Sequence, residues 1–125
     1  MEAQLAVLVV DDEQLIADLI QDALQDAGFE VLVANDGDWA MAMLDDRAMT
    51  FAALVTDINI GGGPDGWAVA RHSREVNPAL PVVYMTGAAA DEWPVHGVPQ
   101  SILVCKPFVT GQIVTALATL LNTGG

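Results

Sequence analysis

The stretch Ala53-Leu54-Val55-Thr56-Asp57-Ile58-Asn59-Ile60-Gly61-Gly62-Gly63-Pro64-Asp65-Gly66 decides how the chain is read. Ala53 to Ile58 is apolar, rich in β-formers and of strand length, with a carboxylate, Asp57, at its end. Gly61 to Gly66 then supplies turn residues, and a helix is expected from about Trp67 to Val76, stopped by Asn77-Pro78. A strand that is apolar throughout, followed by a turn and a helix, belongs in a parallel sheet covered on both faces.

The same unit recurs on either side. Leu5–Val10 is a β-rich run ending in Asp11-Asp12, and Leu15, Ile16, Leu19, Ile20, Ala23, Leu24 and Ala27 follow with helical spacing up to a capping glycine, Gly28. Glu30–Ala34 reads as a second strand and Trp39–Arg47 as a second helix. Pro81–Met85 and Ile102–Cys105 read as the fourth and fifth strands, and Thr110–Leu121 as the last helix, with Ile113, Val114, Leu117, Leu120 and Leu121 on one side. Between Gly87 and Ser101, the residues Pro94, Gly97 and Pro99 leave room for only a short fourth helix. No repeat or linker separates two cores, so residues 1–125 are expected to be one domain with its core from about 5 to 121.

Composition narrows the function. A hydrophobic content of 53% argues against disorder, and no apolar run reaches the roughly 18 residues of a membrane span. The N-terminus lacks the basic start of a secretory signal, and the single cysteine, Cys105, cannot form an internal disulfide; both fit the cytoplasm. A net charge of −13 should repel phosphate backbones and anionic lipid, so direct binding to nucleic acid or membrane is not expected. Residues 1–75 hold 15 of the 17 acids, whereas residues 107–125 hold no charged side chain.

In an open α/β sheet the site lies beyond the carboxyl ends of the strands. Following each strand to that end gives Asp11 and Asp12, then Asp57, then Thr86, then Lys106, the only lysine of the chain. Clustered carboxylates repel one another unless a cation joins them, and an oxygen-only set suits Mg²⁺ rather than zinc. The set reads as a Mg²⁺-dependent phosphoryl site. Asp57 would be the nucleophile, Lys106 would neutralise a phosphoryl oxygen, and Thr86 would donate a hydrogen bond to another.

Asp11-Asp12 after the first strand, Asp57 after the third, Thr86-Gly87 after the fourth and Lys106-Pro107-Phe108 after the fifth together resemble a bacterial response-regulator receiver domain of the stand-alone, chemotaxis type. The resemblance spans about Leu5 to Leu121. It implies a flavodoxin-like, doubly wound five-stranded parallel sheet, order 2-1-3-4-5, with helices on both faces. It implies Mg²⁺ held by Asp11, Asp57 and the backbone carbonyl of Asn59, with Asp12 acting mainly through water, and a cis peptide at Lys106–Pro107. A histidine kinase or histidine phosphotransfer protein would supply the phosphoryl group, docking near helix one. The chain would assist its own phosphorylation and dephosphorylation without being an enzyme on free substrates. A downstream protein partner would read the fourth helix, fifth strand and fifth helix, with the chain a monomer or a phosphorylation-dependent dimer. With no sequence past Gly125, the chain is expected to act through a partner, to pass its phosphoryl group onward, or to be part of something longer. Three departures stand out. Leu103 replaces the aromatic residue that receivers often carry three positions before the lysine, Gly61 stands where proline is common in a loop one residue longer than usual, and the fourth helix is short.

Two other functions fit parts of the pattern: a Mg²⁺-dependent phosphohydrolase with an Asp nucleophile, and an interaction module independent of phosphorylation. The first lacks a second acid two residues after Asp57, where Asn59 stands. Gly61–Gly63 lacks the Gly-Lys-Ser/Thr ending of a P-loop. Asp11-Asp12 alone would pass as a helix N-cap. Cys105 is expected to be a buried small hydrophobe, His72 and His96 incidental surface or loop residues, and Asp45-Asp46 a solvated helix end. Trp39, Trp67 and Trp93 are expected to pack, with Trp93 the one to suspect of touching a partner.

Overall fold

The computed structural model describes residues 5–46, 50–88 and 90–123. The reading of the first four residues, and the end of the second helix at Arg47, lie outside them. In chain order the elements are β1 Ala6–Val10, α1 Gln14–Asp26, β2 Glu30–Ala34, α2 Gly37–Asp45, β3 Ala53–Asp57, α3 Gly66–Val76, β4 Val82–Thr86, a 3₁₀ turn Ala90–Glu92, α4 Trp93–His96, β5 Ser101–Cys105 and α5 Thr110–Thr123. All five strands are parallel and lie in the order β2-β1-β3-β4-β5, as expected.

Alternation along the strands splits the core into two layers. Leu8, Val10, Leu54, Val82 and Tyr84 face α2, α3 and α4, where they meet Ala40, Leu44, Trp67, Val69 and the partly buried Trp93. Val7, Val9, Val55, Val83 and Met85 face α1 and α5, where they meet Ile20, Leu24, Ile113 and Leu117. Because β1, β3 and β4 are covered on both sides, their sequences are continuous apolar runs instead of alternating ones.

Local chemistry sets the ends of the helices. Asp36 accepts a hydrogen bond from Trp39 N (2.7 Å) to start α2, and Asp65 accepts one from Ala68 N (2.9 Å) to start α3. Caps of this kind are each worth about 1 kcal/mol. α1 ends in a Schellman arrangement, with Phe29 N donating to Leu24 O and Gly28 N donating to Gln25 O. Gly28 adopts φ +99°, which a side chain would resist.

The helical spacing of residues 15–27 is borne out by α1, which turns Ala17, Ile20 and Leu24 fully inward and leaves Leu15 and Leu19 80% and 61% exposed. Several expectations need correction. Trp39 is also exposed and does not pack in the core. Cys105, expected to be buried, is exposed at the end of β5, the outermost strand among the described residues. Asp45 and Asp46 are exposed at the end of α2, as expected, and His72 finds a partner there. His72 Nε2 lies 2.7 Å from Asp45 Oδ1 and links α3 to the end of α2. His96 belongs to α4, where its ring lies 5.9 Å from that of Trp67. The fourth helix is short as expected, at four residues.

Candidate functional site

The strand order brings β1 beside β3, β3 beside β4 and β4 beside β5, with Val10 level with Thr56, Asp57 with Met85, and Thr86 with Cys105. The residues that end these strands or follow them therefore share one edge: Asp11 after β1, Asp57 closing β3, Thr86 closing β4 and Lys106 after β5. Asp11, Asp57 and Thr86 are buried. Asp12 is exposed beside them, and Asn59 is exposed two residues past Asp57 on the loop that follows it.

Carboxylate oxygens of Asp11, Asp12, Glu13 and Asp57 all come within 4.8 Å of one another. Glu13 joins this cluster although the sequence pointed only to its two neighbours; the signal was the unbroken acidic run Asp11-Asp12-Glu13. One oxygen of Asp11 accepts the Glu13 N–H (2.8 Å), whereas its Oδ2 is buried without any hydrogen-bond partner. A buried carboxylate oxygen left unpaired is costly unless a cation completes it. Burial, with the neighbouring charge of Asp57 adding to it, pushes the Asp11 carboxyl up to about 6, although the Glu13 hydrogen bond and Lys106 pull the other way. An orphaned inward oxygen within an all-oxygen cluster fits a hard divalent cation such as Mg²⁺.

Lys106 Nζ lies 3.1 Å from Asp57 Oδ2 and 3.9 Å from Glu13 Oε1. Partial burial lowers the lysine pKa, but the hydrogen bond and charge of Asp57, joined by Asp11 and Glu13, outweigh that and leave it raised. The Lys106–Pro107 peptide is cis. Thr86 Oγ1 accepts a hydrogen bond from Ala88 N (3.1 Å), which holds its hydroxyl at the start of the loop after β4.

The loop after β3 is tied to the site at both ends. Gly61 N donates to Asp12 Oδ2 (3.1 Å), so the glycine at the unusual position joins the acidic cluster. Gly66 N donates to Ile58 O (2.8 Å), and a Cβ at residue 66 would collide with the carbonyl oxygen of Asp57. That carbonyl also accepts the Thr56 hydroxyl (2.8 Å). Gly66 is thus a site-shaping residue that the sequence offered only as a turn former. Beside the carboxyl edge, Ile16, Leu19 and Ile20 of α1 form an apolar groove with Pro107 and Phe108.

Residues 7–118 match the response regulator receiver domain, and the chain belongs to that family. It is a receiver domain of two-component signalling, a signalling switch of the kind carried by response regulators. It is 34% identical over 123 residues to the probable transcriptional regulatory protein TcrX of Mycobacterium tuberculosis, covering 95% of the chain and 50% of that protein. It is 28% identical to the transcriptional regulatory protein CusR of Escherichia coli K12, covering 94% of the chain and 52% of that protein. The chain therefore spans about half the length of these relatives. Among solved structures, a response regulator receiver protein from Sinorhizobium medicae superposes with a TM-score of 0.94 at 41% identity, over 98% of both chains. NtrX from Brucella abortus superposes with a TM-score of 0.83 at 32% identity, over 98% of this chain and 28% of that one. Receivers as a family bind Mg²⁺ through an acidic pocket, and this chain gathers Asp11, Asp12, Glu13 and Asp57 in an acidic cluster at the same edge.

Proposed function

We propose that the chain, as one receiver unit with its core over residues 5–121, accepts a phosphoryl group on Asp57 and transmits its presence to a protein partner. The observation that carries this reading is the contact of Lys106 Nζ with Asp57 Oδ2 at 3.1 Å, beside an Asp11 oxygen that has no protein partner. Asp11, Asp57 and the carbonyl of Asn59 would hold Mg²⁺, with Asp12 acting through water. When bound, that ion would offset the negative charge gathered on the transferring group.

The remaining work falls to this chain's own residues. A histidine kinase or histidine phosphotransfer protein would present a phosphohistidine in line with an Asp57 carboxylate oxygen. The P–N bond breaks as the P–O bond to Asp57 forms, and the imidazole leaves with the electron pair. Lys106, released from its present pairing, would hold one phosphoryl oxygen, and the Thr86 hydroxyl would turn from its loop contact to donate to another. Catalysis here is positioning and charge compensation, which is how phosphoryl transfer generally proceeds. The same groups would orient water for loss of the phosphoryl group, so the chain would govern its own reset. The groove of Ile16, Leu19 and Ile20 against Phe108 lies beside this edge and suits the docking phosphodonor. The cytoplasm is the compartment consistent with such partners, and among the described residues no helix is long and apolar enough to cross a membrane.

The test adds beryllofluoride or a small phosphodonor with Mg²⁺ to the wild type and to Asp57→Asn. Spectral changes in the wild type that vanish in the variant are expected. An unchanged wild-type spectrum would sink the proposal. Release of phosphate from free phosphomonoesters at catalytic rates would instead favour a phosphohydrolase.

A further inference from the structure

Thr86 closes β4, and Tyr84 lies two residues earlier on the same face of that strand. Tyr84 is wholly buried. Its hydroxyl accepts the N–H of Val98 (3.1 Å), the buried residue between α4 and β5. From Val98 a polar chain continues into α4. Ser101 Oγ donates to Val98 O (2.7 Å), Trp93 Nε1 donates to Ser101 Oγ (3.0 Å), and Gly97 N donates to Trp93 O (2.8 Å). The Tyr84 ring is held as well, 4.8 Å from Trp67, whose other neighbour is the His96 ring of α4 at 5.9 Å. Trp67 directly follows Gly66, the residue packed on the Asp57 carbonyl. Two lines of contact thus run from the carboxyl edge to α4: one from Thr86 through Tyr84 to Val98, and one from Asp57 through Gly66 and Trp67 to His96, with the Tyr84 ring packed against Trp67 and so touching both.

Leu103, level with Tyr84 on the neighbouring strand, offers only aliphatic contact. A buried hydrogen bond is directional and costly to leave unpaired, so the Tyr84–Val98 bond resists relative sliding more than a leucine side chain can. α4 itself is a single turn of four residues, with none of them fully buried. Its position rests mainly on these side-chain ties rather than on its own helical bonds. We propose that Tyr84 is the positioning residue that couples the Thr86 end of β4 to the 93–98 segment, so that a change at Asp57 is expressed as a displacement of α4 led by Trp93. This rests on the phosphoacceptor reading above.

The experiment follows the Trp93 indole N–H resonance, assigned by comparison with Trp39→Phe and Trp93→Phe, while beryllofluoride and Mg²⁺ are added; fluorine resonance reports bound fluoride separately. The wild type should bind fluoride and shift the Trp93 signal. Tyr84→Phe, which keeps the ring and removes the hydroxyl, should bind fluoride and lose at least two-thirds of that shift. Ser101→Ala, which cuts the chain farther along and leaves the core untouched, should do the same. Leu103→Ala should keep the full shift. A full Trp93 response in Tyr84→Phe, or a wild type that binds fluoride with Trp93 unmoved, would overturn the coupling alone. Absence of bound fluoride in the wild type would overturn the phosphoacceptor reading, and the coupling with it.

Discussion

Lys106 and Asp57, 49 residues apart in sequence, are joined by a 3.1 Å ion pair at the end of the sheet. The Asp57 side chain is 6% exposed and that of Lys106 21%, so the pair is shielded from solvent without being sealed off. Desolvation offsets much of the attraction in such a pair, but removing one partner leaves the other poorly satisfied.

Replacing Lys106 with alanine should therefore separate binding from response. Mg²⁺ affinity should be retained or improved, because a competing cation has gone, while the spectral change caused by beryllofluoride should disappear. Titrations of Mg²⁺ and of beryllofluoride into Lys106→Ala check both halves. Equal fluoride responses in variant and wild type would show that Lys106 has no part in the switch.

Asp11 makes stability depend on pH in an unusual direction. Its carboxyl titrates at about 6 in the folded chain against an ordinary 3.8. Between those values the folded state binds more protons than the unfolded one, so stability falls as pH rises through this window. The deficit above pH 6 is on the order of 3 kcal/mol. In chelator at neutral pH, Asp11→Asn should melt several degrees higher than the wild type, and the two should converge near pH 4. Adding Mg²⁺ should stabilise the wild type and leave the variant much less affected. Thermal melts across pH with and without Mg²⁺ measure each part.

Two glycines make a matched pair. At Gly66 a methyl group would strike the backbone of Asp57 and Ile58, whereas at Gly111 it would meet nothing within 4 Å. Gly66→Ala should cost roughly 1–3 kcal/mol, as overpacking does, and weaken Mg²⁺ binding by displacing Asp57. Gly111→Ala, in the first turn of α5, should be neutral or stabilising by up to about 1 kcal/mol. Denaturant melts of the two variants decide the contrast.

Exposure of Cys105 predicts ready chemistry. A maleimide should label one thiol per chain in native buffer, at a rate little changed by moderate denaturant. Protection of the thiol until global unfolding would contradict its position at the sheet edge.

Much of this arrangement was legible in the sequence because strand ends are marked by chemistry. Runs such as Ala53–Ile58 stop at a carboxylate, and the parallel order then brings Asp11, Asp57, Thr86 and Lys106 to one edge. Glu13 was harder to read, since it occupies the N-cap position of α1 and looks like an ordinary first-turn acid. For Leu15 and Leu19 the helical spacing held, but such spacing identifies an apolar stripe without saying which of its residues the core will cover. Cys105 sits in an apolar run, yet it is the last residue of the edge strand β5, and an apolar run does not reveal which strand will lie at the edge. The bond between His72 and Asp45 depends on how α2 and α3 cross, which no local pattern records.

The uneven placement of charge gives the two sides of the molecule different responses to salt. The carboxyl edge carries the acids of residues 11–13 and Asp57 against one lysine, while residues 107–125, which include α5, carry no charge. At physiological ionic strength the screening length is about 8 Å, so an encounter with the acidic edge slows or quickens as salt changes, according to the partner's sign. An encounter with α5 proceeds at nearly the same rate throughout. Ionic strength therefore acts as a selective dial on this molecule, adjusting how quickly a charged visitor finds the acidic edge while leaving contact with α5 almost untouched.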